Sequence, residues 1–131
     1  MGASGDAPFR DHLEMVRLAQ EAGIGVFGIR PFAAGSLTAA IDRSLPVDHP
    51  VARDFVLAQQ HLSFLGTETS SSLALAAMRY ALSLPGVSTV VTGAKNRAEL
   101  AEAVAAAEAG PLPLALMERI ATLQRTVLTR Q

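Results

Sequence analysis

Cysteine is absent from the 131-residue chain, and so is tryptophan. Without cysteine there are no disulfides, no thiolate zinc ligands and no thiol nucleophile. Aromatic residues make up only 5%, and one of them, Tyr80, is the sole tyrosine. Histidine is confined to His12, His49 and His61, which share no metal-ligand spacing, so no metal site is expected. Neither sign of charge dominates: eleven basic residues face twelve acidic ones, for a net charge of −1. That balance argues against nucleic-acid binding, which calls for a basic excess on one face. No apolar run approaches the ~18 residues of a membrane helix, and the opening Met-Gly-Ala-Ser-Gly-Asp resembles no signal peptide. The expectation is a cytoplasmic protein with no membrane association.

Alanine and small hydrophobic residues are plentiful. The chain is 50% hydrophobic and holds 24 alanines, a composition that favours packed helices. Residues 1–10, rich in Gly, Ala and Ser, read as a disordered start. A first helix is expected from about Asp11 to Ala22, with Asp11 and Glu14 as a capping box, Met15, Leu18, Ala19 and Ala22 at one-face spacing, and Gly23 as the stop. Ile24–Ile29 reads as a strand buried on both faces, ended by Pro31.

A second helix begins near Pro50, capped by Asp48 or His49, with Val51, Phe55, Ala58, Leu62 and Leu65 as its apolar stripe and Gly66 as its end. After a Thr/Ser turn over 67–72, a third helix turns Leu73, Ala76, Ala77, Tyr80, Ala81 and Leu84 inward, until Pro85-Gly86 breaks it. Ser88–Thr92 is β-branched and short, a second strand. A fourth helix over Arg97–Ala109, with Leu100, Ala103, Val104 and Ala107 inward, and a fifth from about Pro113 complete the chain.

Strands alternating with helices argue for a parallel α/β arrangement. Two parallel strands alone leave backbone donors and acceptors open on both outer edges. The pattern is that of a piece of a larger sheet or barrel, or of a chain that completes its sheet by self-association.

In such folds the sites lie at the carboxyl ends of strands. Here those ends are Arg30-Pro31-Phe32-Ala33-Ala34-Gly35 and Thr92-Gly93-Ala94-Lys95-Asn96-Arg97. The second suits an anion. Gly93 and Ala94 permit close backbone approach, the fourth helix opens with free N–H groups, and Lys95 and Arg97 add cations. The same residues also fit a plain helix cap, Asn96 with Glu99, which requires no ligand. Asp42-Arg43 and Arg53-Asp54 read as exposed charge pairs, and Glu102 and Glu108 as solvated. The Ser/Thr run lacks a His and Asp partner, so no nucleophilic triad is expected.

The ordered series of motifs resembles the C-terminal part of the aldo-keto reductases. Gly23-Ile24-Gly25-Val26-Phe27-Gly28-Ile29-Arg30-Pro31-Phe32-Ala33-Ala34-Gly35 is similar to that family's seventh strand and following loop. Leu75-Ala76-Ala77-Met78-Arg79-Tyr80-Ala81-Leu82 resembles its next helix, and Pro85-Gly86-Val87-Ser88-Thr89-Val90-Val91-Thr92-Gly93-Ala94-Lys95-Asn96 its eighth strand.

The resemblance implies the C-terminal portion of a (β/α)8 TIM barrel over residues 11–131, with two parallel strands and about five helices. It implies an NADP(H)-dependent oxidoreductase acting on small carbonyl or alcohol substrates. Pro31, Phe32 and Ala33 would then line the nicotinamide and pyrophosphate side of the cofactor, with the Arg30 guanidinium as a partial substitute for a nicotinamide-stacking aromatic. Gly93, Ala94, Lys95 and Asn96 would hold the adenosine end, with Lys95 on the 2′-phosphate, and Arg97 and Glu99 complete the candidate cofactor-binding set. Glu99 and Ala103 stand where many members carry glutamine and asparagine, and Ile29 where many carry a nicotinamide-stacking aromatic. The family's catalytic Asp, Tyr, Lys and His come from earlier strands, so the chain is expected to hold no catalytic residue and to be inactive without a missing N-terminal half. Two alternatives stay open: another phosphate-binding α/β barrel, and a stand-alone helical interaction domain in which neither apolar run is a strand.

Overall fold

The computed structural model describes residues 12–35, 37, 38, 40, 41 and 43–128. The expected disordered start, the Asp11 cap and the Asp42 side of one charge pair lie outside them. In chain order the elements are α1 (His12–Glu21), β1 (Val26–Ile29), a 3-10 turn (Ala33–Gly35), α2 (Pro50–His61), α3 (Phe64–Glu68), α4 (Leu73–Ser83), β2 (Val87–Val91), α5 (Arg97–Ala109) and α6 (Leu114–Leu123). A π-helical turn over Gln124–Leu128 follows α6.

β1 and β2 are adjacent and parallel, with Phe27 opposite Thr89, Gly28 opposite Val90 and Ile29 opposite Val91. This pairing makes the described residues an α/β unit with two parallel strands and six helices. It removes the reading in which both segments were non-strand core of a helical interaction domain.

Turn chemistry accounts for the element ends. Gly23 adopts φ +72, its N–H donates to the Gln20 carbonyl, and the Ile24 N–H donates to the Ala19 carbonyl at 2.8 Å. That pair of bonds is a Schellman stop, which places glycine just past the helix. His49 caps α2 by accepting the Val51 N–H on Nδ1 at 3.2 Å, and Pro50 takes the first helical position, where its missing N–H costs nothing. Ser72 caps α4 by accepting the Leu75 N–H at 3.0 Å.

Several expectations require correction. Gly66 does not end the second helix. α2 stops at His61, and Gly66 lies inside the separate short helix α3, which brings the helices to six rather than five. Glycine is needed there for close packing: a Cβ at Gly66 would sit 2.9 Å from the Ser71 carbonyl oxygen.

The first strand is covered on one face only. Val26 and Gly28 are half-buried beneath the helices, whereas Phe27 and Ile29 are 71% and 69% exposed. α1 packs on β1 and α4 on β2, and among the described residues no element covers the other face. α1 is likewise turned outward more than its spacing suggests: Met15 and Leu18 are exposed, and Val16 and Ala19 are its more covered residues.

α5 is rotated relative to expectation. Leu100, Val104 and Ala107 are exposed, and Ala106 is the fully buried residue, flanked by half-buried Glu102 and Ala103. α5 is apolar nearly all round, so its sequence does not select one stripe. The alanine line lets it lie closely on α4, which is the closer fit.

The core sits among α3, α4 and α6, with Leu65, Ala76, Leu112, Leu116 and Ile120 buried together and Leu62, Phe64, Leu73, Tyr80 and Met117 packed around them. Tyr80 is a packing residue, as its inner-face position suggests, and its hydroxyl accepts from Gln124 Nε2 at 3.2 Å. Arg119 lies 3.6 Å from the centroid of the Phe64 ring and donates to Glu68 at 2.7 Å, fastening α6 to α3.

The turn between α5 and α6 is held from α4. Arg79 donates Nε to the Gly110 carbonyl at 2.9 Å and a second nitrogen to the Pro111 carbonyl at 2.8 Å. Ser83 Oγ accepts the Leu112 N–H at 2.8 Å.

Two predictions follow from this packing. Arg79→Ala strands two carbonyls near the α5 terminus and should lower stability by about 1.5–3 kcal/mol, read as a reduced thermal midpoint. Exposed Phe27 and Ile29 beside open strand edges should make the chain self-associate. Sedimentation should show association that rises with concentration and weakens in Phe27→Thr; a monomer at all concentrations would contradict this.

Candidate functional site

The parallel ladder brings the carboxyl ends of both strands to one side of the molecule. Two clefts of ≈ 670 Å³ each open there, and they share Phe32, Gly35 and Gly93. One runs along the strand ends and is lined by Ile29, Arg30, Pro31, Phe32, Val91 and Thr92. The other spreads toward α4 and α5, where Ala94, Lys95, Glu99 and Glu102 meet Thr38, Arg43 and Ser72.

The first loop is conformationally constrained. Arg30 has φ +54 and Ala33 has φ +48, both in the left-handed region that side chains disfavour. Positive φ at a residue with a Cβ costs of order 1–3 kcal/mol and persists where surrounding structure demands it. Here it folds the chain back after β1: the Ala33 N–H donates to the Arg30 carbonyl at 3.0 Å, and the Gly35 and Leu37 N–H groups donate to the Phe32 carbonyl at 3.0 and 3.1 Å. The result sets Phe32 and Gly35 at the mouth of both clefts.

The second loop is built on the start of α5. Asn96 is in extended conformation, and its Oδ1 accepts the Glu99 N–H at 2.9 Å. Glu99 Oε2 in return accepts the Lys95 N–H at 2.7 Å. The reciprocal pair is a capping arrangement shifted one residue outward, since the carboxylate takes the amide before the cap residue rather than that of the cap itself. The plain-cap reading of Asn96 and Glu99 therefore holds at the level of geometry, and it uses one of the amides that an anion would meet. Gly93 leaves open room: a Cβ there would have no protein atom within 4 Å.

Of the ten residues singled out in the sequence, Arg30, Pro31, Phe32, Gly93, Ala94, Lys95 and Glu99 line the two clefts. Ala33, Asn96 and Arg97 do not. Ala33 shapes the loop, Asn96 caps the helix, and Arg97 is exposed at the opening of α5.

Four polar residues join the cleft that sequence reasoning left outside it. Arg43 read as half of a surface pair and Glu102 as solvated. Thr38 accompanies Arg43 on the irregular segment before α2, its Oγ1 donating to the Gly35 carbonyl at 2.7 Å. Ser72, besides capping α4, donates its hydroxyl to Glu102 Oε1 and ties α4 to α5 at the cleft wall. Spacing carries no signal for that bond, because its partners are thirty residues apart. Arg43 and Lys95 thus line one cleft together with Glu99 and Glu102, a balanced set of charges. Asp54 lies away from it on α2, where partial burial pushes its carboxyl up from the ordinary range against the opposing pull of Arg53. The described residues contain no cluster of His and carboxylates able to hold a metal ion.

A parallel α/β unit with clefts beyond the carboxyl ends of its strands has the architecture of the α/β class, in which that end of the sheet is the usual place for ligands. The chain matches the model of the aldo/keto reductase family over residues 7–125, and it belongs to that family. A search of curated proteins finds no match. Membership places the chain in an oxidoreductase family and sets aside an unrelated phosphate-binding barrel.

The cap makes a separate prediction. Asn96→Ala should cost about 1 kcal/mol of stability, whereas Glu99→Gln, which keeps an acceptor for the Lys95 N–H, should cost clearly less. Thermal melts of the two variants check this.

Proposed function

We propose that the chain is the cofactor-binding C-terminal portion of a (β/α)8-barrel oxidoreductase that reduces small carbonyl compounds or oxidises the corresponding alcohols. The domain over residues 11–131 would be completed by further strands, supplied by a longer polypeptide or by a second copy. Exposed Phe27, Ile29 and Val91 support this, because the uncovered face of the sheet is apolar.

The observation that carries the reading is the meeting of both strand-end loops around Phe32, Gly35 and Gly93. One cleft would take the nicotinamide and pyrophosphate, beside Arg30, Pro31 and Phe32. The other would take the adenosine end, beside Gly93, Ala94 and Lys95, in an NADP(H) whose 2′-phosphate lies near the Lys95 ammonium. Small residues and open room at Gly93 fit such a ligand; the carboxylate of Glu99 is the one group that opposes a phosphate.

When bound, the cofactor supplies or accepts the hydride. The residues of this chain bind and orient it. Proton transfer belongs to a catalytic set outside this chain, so the isolated chain would be inactive.

Titration of NADPH and NADH against the wild-type chain and Lys95→Ala tests the assignment, read by nicotinamide fluorescence. A charge-assisted contact to phosphate predicts that the variant binds NADPH about tenfold more weakly and NADH almost unchanged. Equal losses for both cofactors, or none for either, would remove Lys95 from the 2′-phosphate site.

A further inference from the structure

The Lys95–Glu99 turn holds an anion of its own. Glu99 Oε2 sits 2.7 Å from the Lys95 backbone nitrogen, and the Asn96 side chain fixes the Glu99 backbone from the other direction at 2.9 Å. Lys95 and Glu99 line the same cleft wall as Glu102, which receives the Ser72 hydroxyl. A dianionic group approaching this wall is drawn by the Lys95 ammonium. It also meets a fixed carboxylate and finds the Lys95 amide already committed. A neutral hydroxyl meets no such opposition, since it can donate to that carboxylate.

We propose that Glu99 is a specificity-determining residue of this cleft: its carboxylate, anchored on the Lys95 amide, offsets part of the Lys95 charge and narrows the site's preference for a 2′-phosphorylated over an unphosphorylated ribose. This rests on the adenosine-end reading of the cleft given above. It makes Lys95 and Glu99 opposing terms in one recognition step. The side chain selects for phosphate, and the carboxylate selects against it. Because both groups are exposed, the opposition is screened by salt and acts over a distance shorter than the Debye length, about 8–10 Å at moderate ionic strength.

The test uses the full 131-residue chain and two probes, 5′-AMP and 2′,5′-ADP, followed by amide chemical shifts of residues 93–99. Glu99→Gln preserves an acceptor for the Lys95 N–H and removes only the charge. It should tighten 2′,5′-ADP by about three- to tenfold while changing 5′-AMP less than about twofold, and the gain should shrink at high salt. Glu102→Gln removes the same net charge and should give a clearly smaller gain. If 2′,5′-ADP shifts these amides in the wild type and Glu99→Gln leaves its affinity unchanged, the proposal is overturned while the cofactor reading stands. Equal tightening of both probes, or equal gains in both variants, also overturns it, because the effect is then one of bulk charge. If neither probe moves these amides in wild type or variant, the adenosine-end reading itself falls, and the proposal with it.

Discussion

Everything that resembles a site in this chain depends on the parallel pairing of β1 with β2. The two loops that line the clefts, after Ile29 and after Val91, are some sixty residues apart, and the ladder alone sets their origins side by side. Parallel pairing also requires a long crossover, and α2, α3 and α4 supply it. The crossover helices do more than return the chain. α4 packs on β2, carries the Ser72 cap at the cleft wall, and reaches through Arg79 and Ser83 to hold the turn that follows α5. One helix thereby links the sheet, the cleft wall and the core.

The sheet is asymmetric in a way that matters for function. Its helix-facing side is served by α1 and α4, while Phe27, Ile29 and Val91 present apolar side chains on the other. In a closed barrel the inward side chains of the strands fill the interior in layers, so residues of this type on that face suit a completed barrel. The same residues are a liability in a two-stranded sheet, which is only marginally stable by itself. Stability here resides in the helical cluster around Leu65, Ala76 and Leu116 rather than in the strands.

Local signals in the sequence are legible where one residue type has one physical use. Gly23 terminates α1, Pro50 opens α2, and Asn96 with Glu99 starts α5 at the expected residue. Both strands fall within two residues of the expected segments. Structure departs from pattern where the sequence offers no contrast. α5 is rich in alanine on every side, so its buried face was set by the fit to α4, and Leu100 and Val104 are exposed although they are its larger apolar residues. Gly66 reads as a stop, yet it serves close approach to Ser71 within a helix. The strand-end residues of the cleft were visible because the position of a strand end follows from the strand itself. Arg43, Ser72 and Glu102 were not, because their approach is a product of tertiary packing.

The charge balance of the cleft follows from how its walls are made. Helix α5 needs acceptors for its opening amides, and Asn96 provides one for the Glu99 N–H, while Glu99 in turn takes the Lys95 N–H just before the cap. A carboxylate there is favourable to the helix, because the first turn carries a partial positive charge. The ammonium of Lys95 at the same end is unfavourable to it by the same rule. Lys95 therefore gains nothing from the helix dipole, while Glu99 has a structural reason to be where it is. Lys95, the only lysine of the chain, nevertheless stands on the cleft wall, where the proposed cofactor site would use its charge. In the proposed cofactor site the carboxylate that stabilises the helix would also be the group against which an anionic ligand competes, so folding and recognition would draw on the same few atoms at Lys95–Glu99.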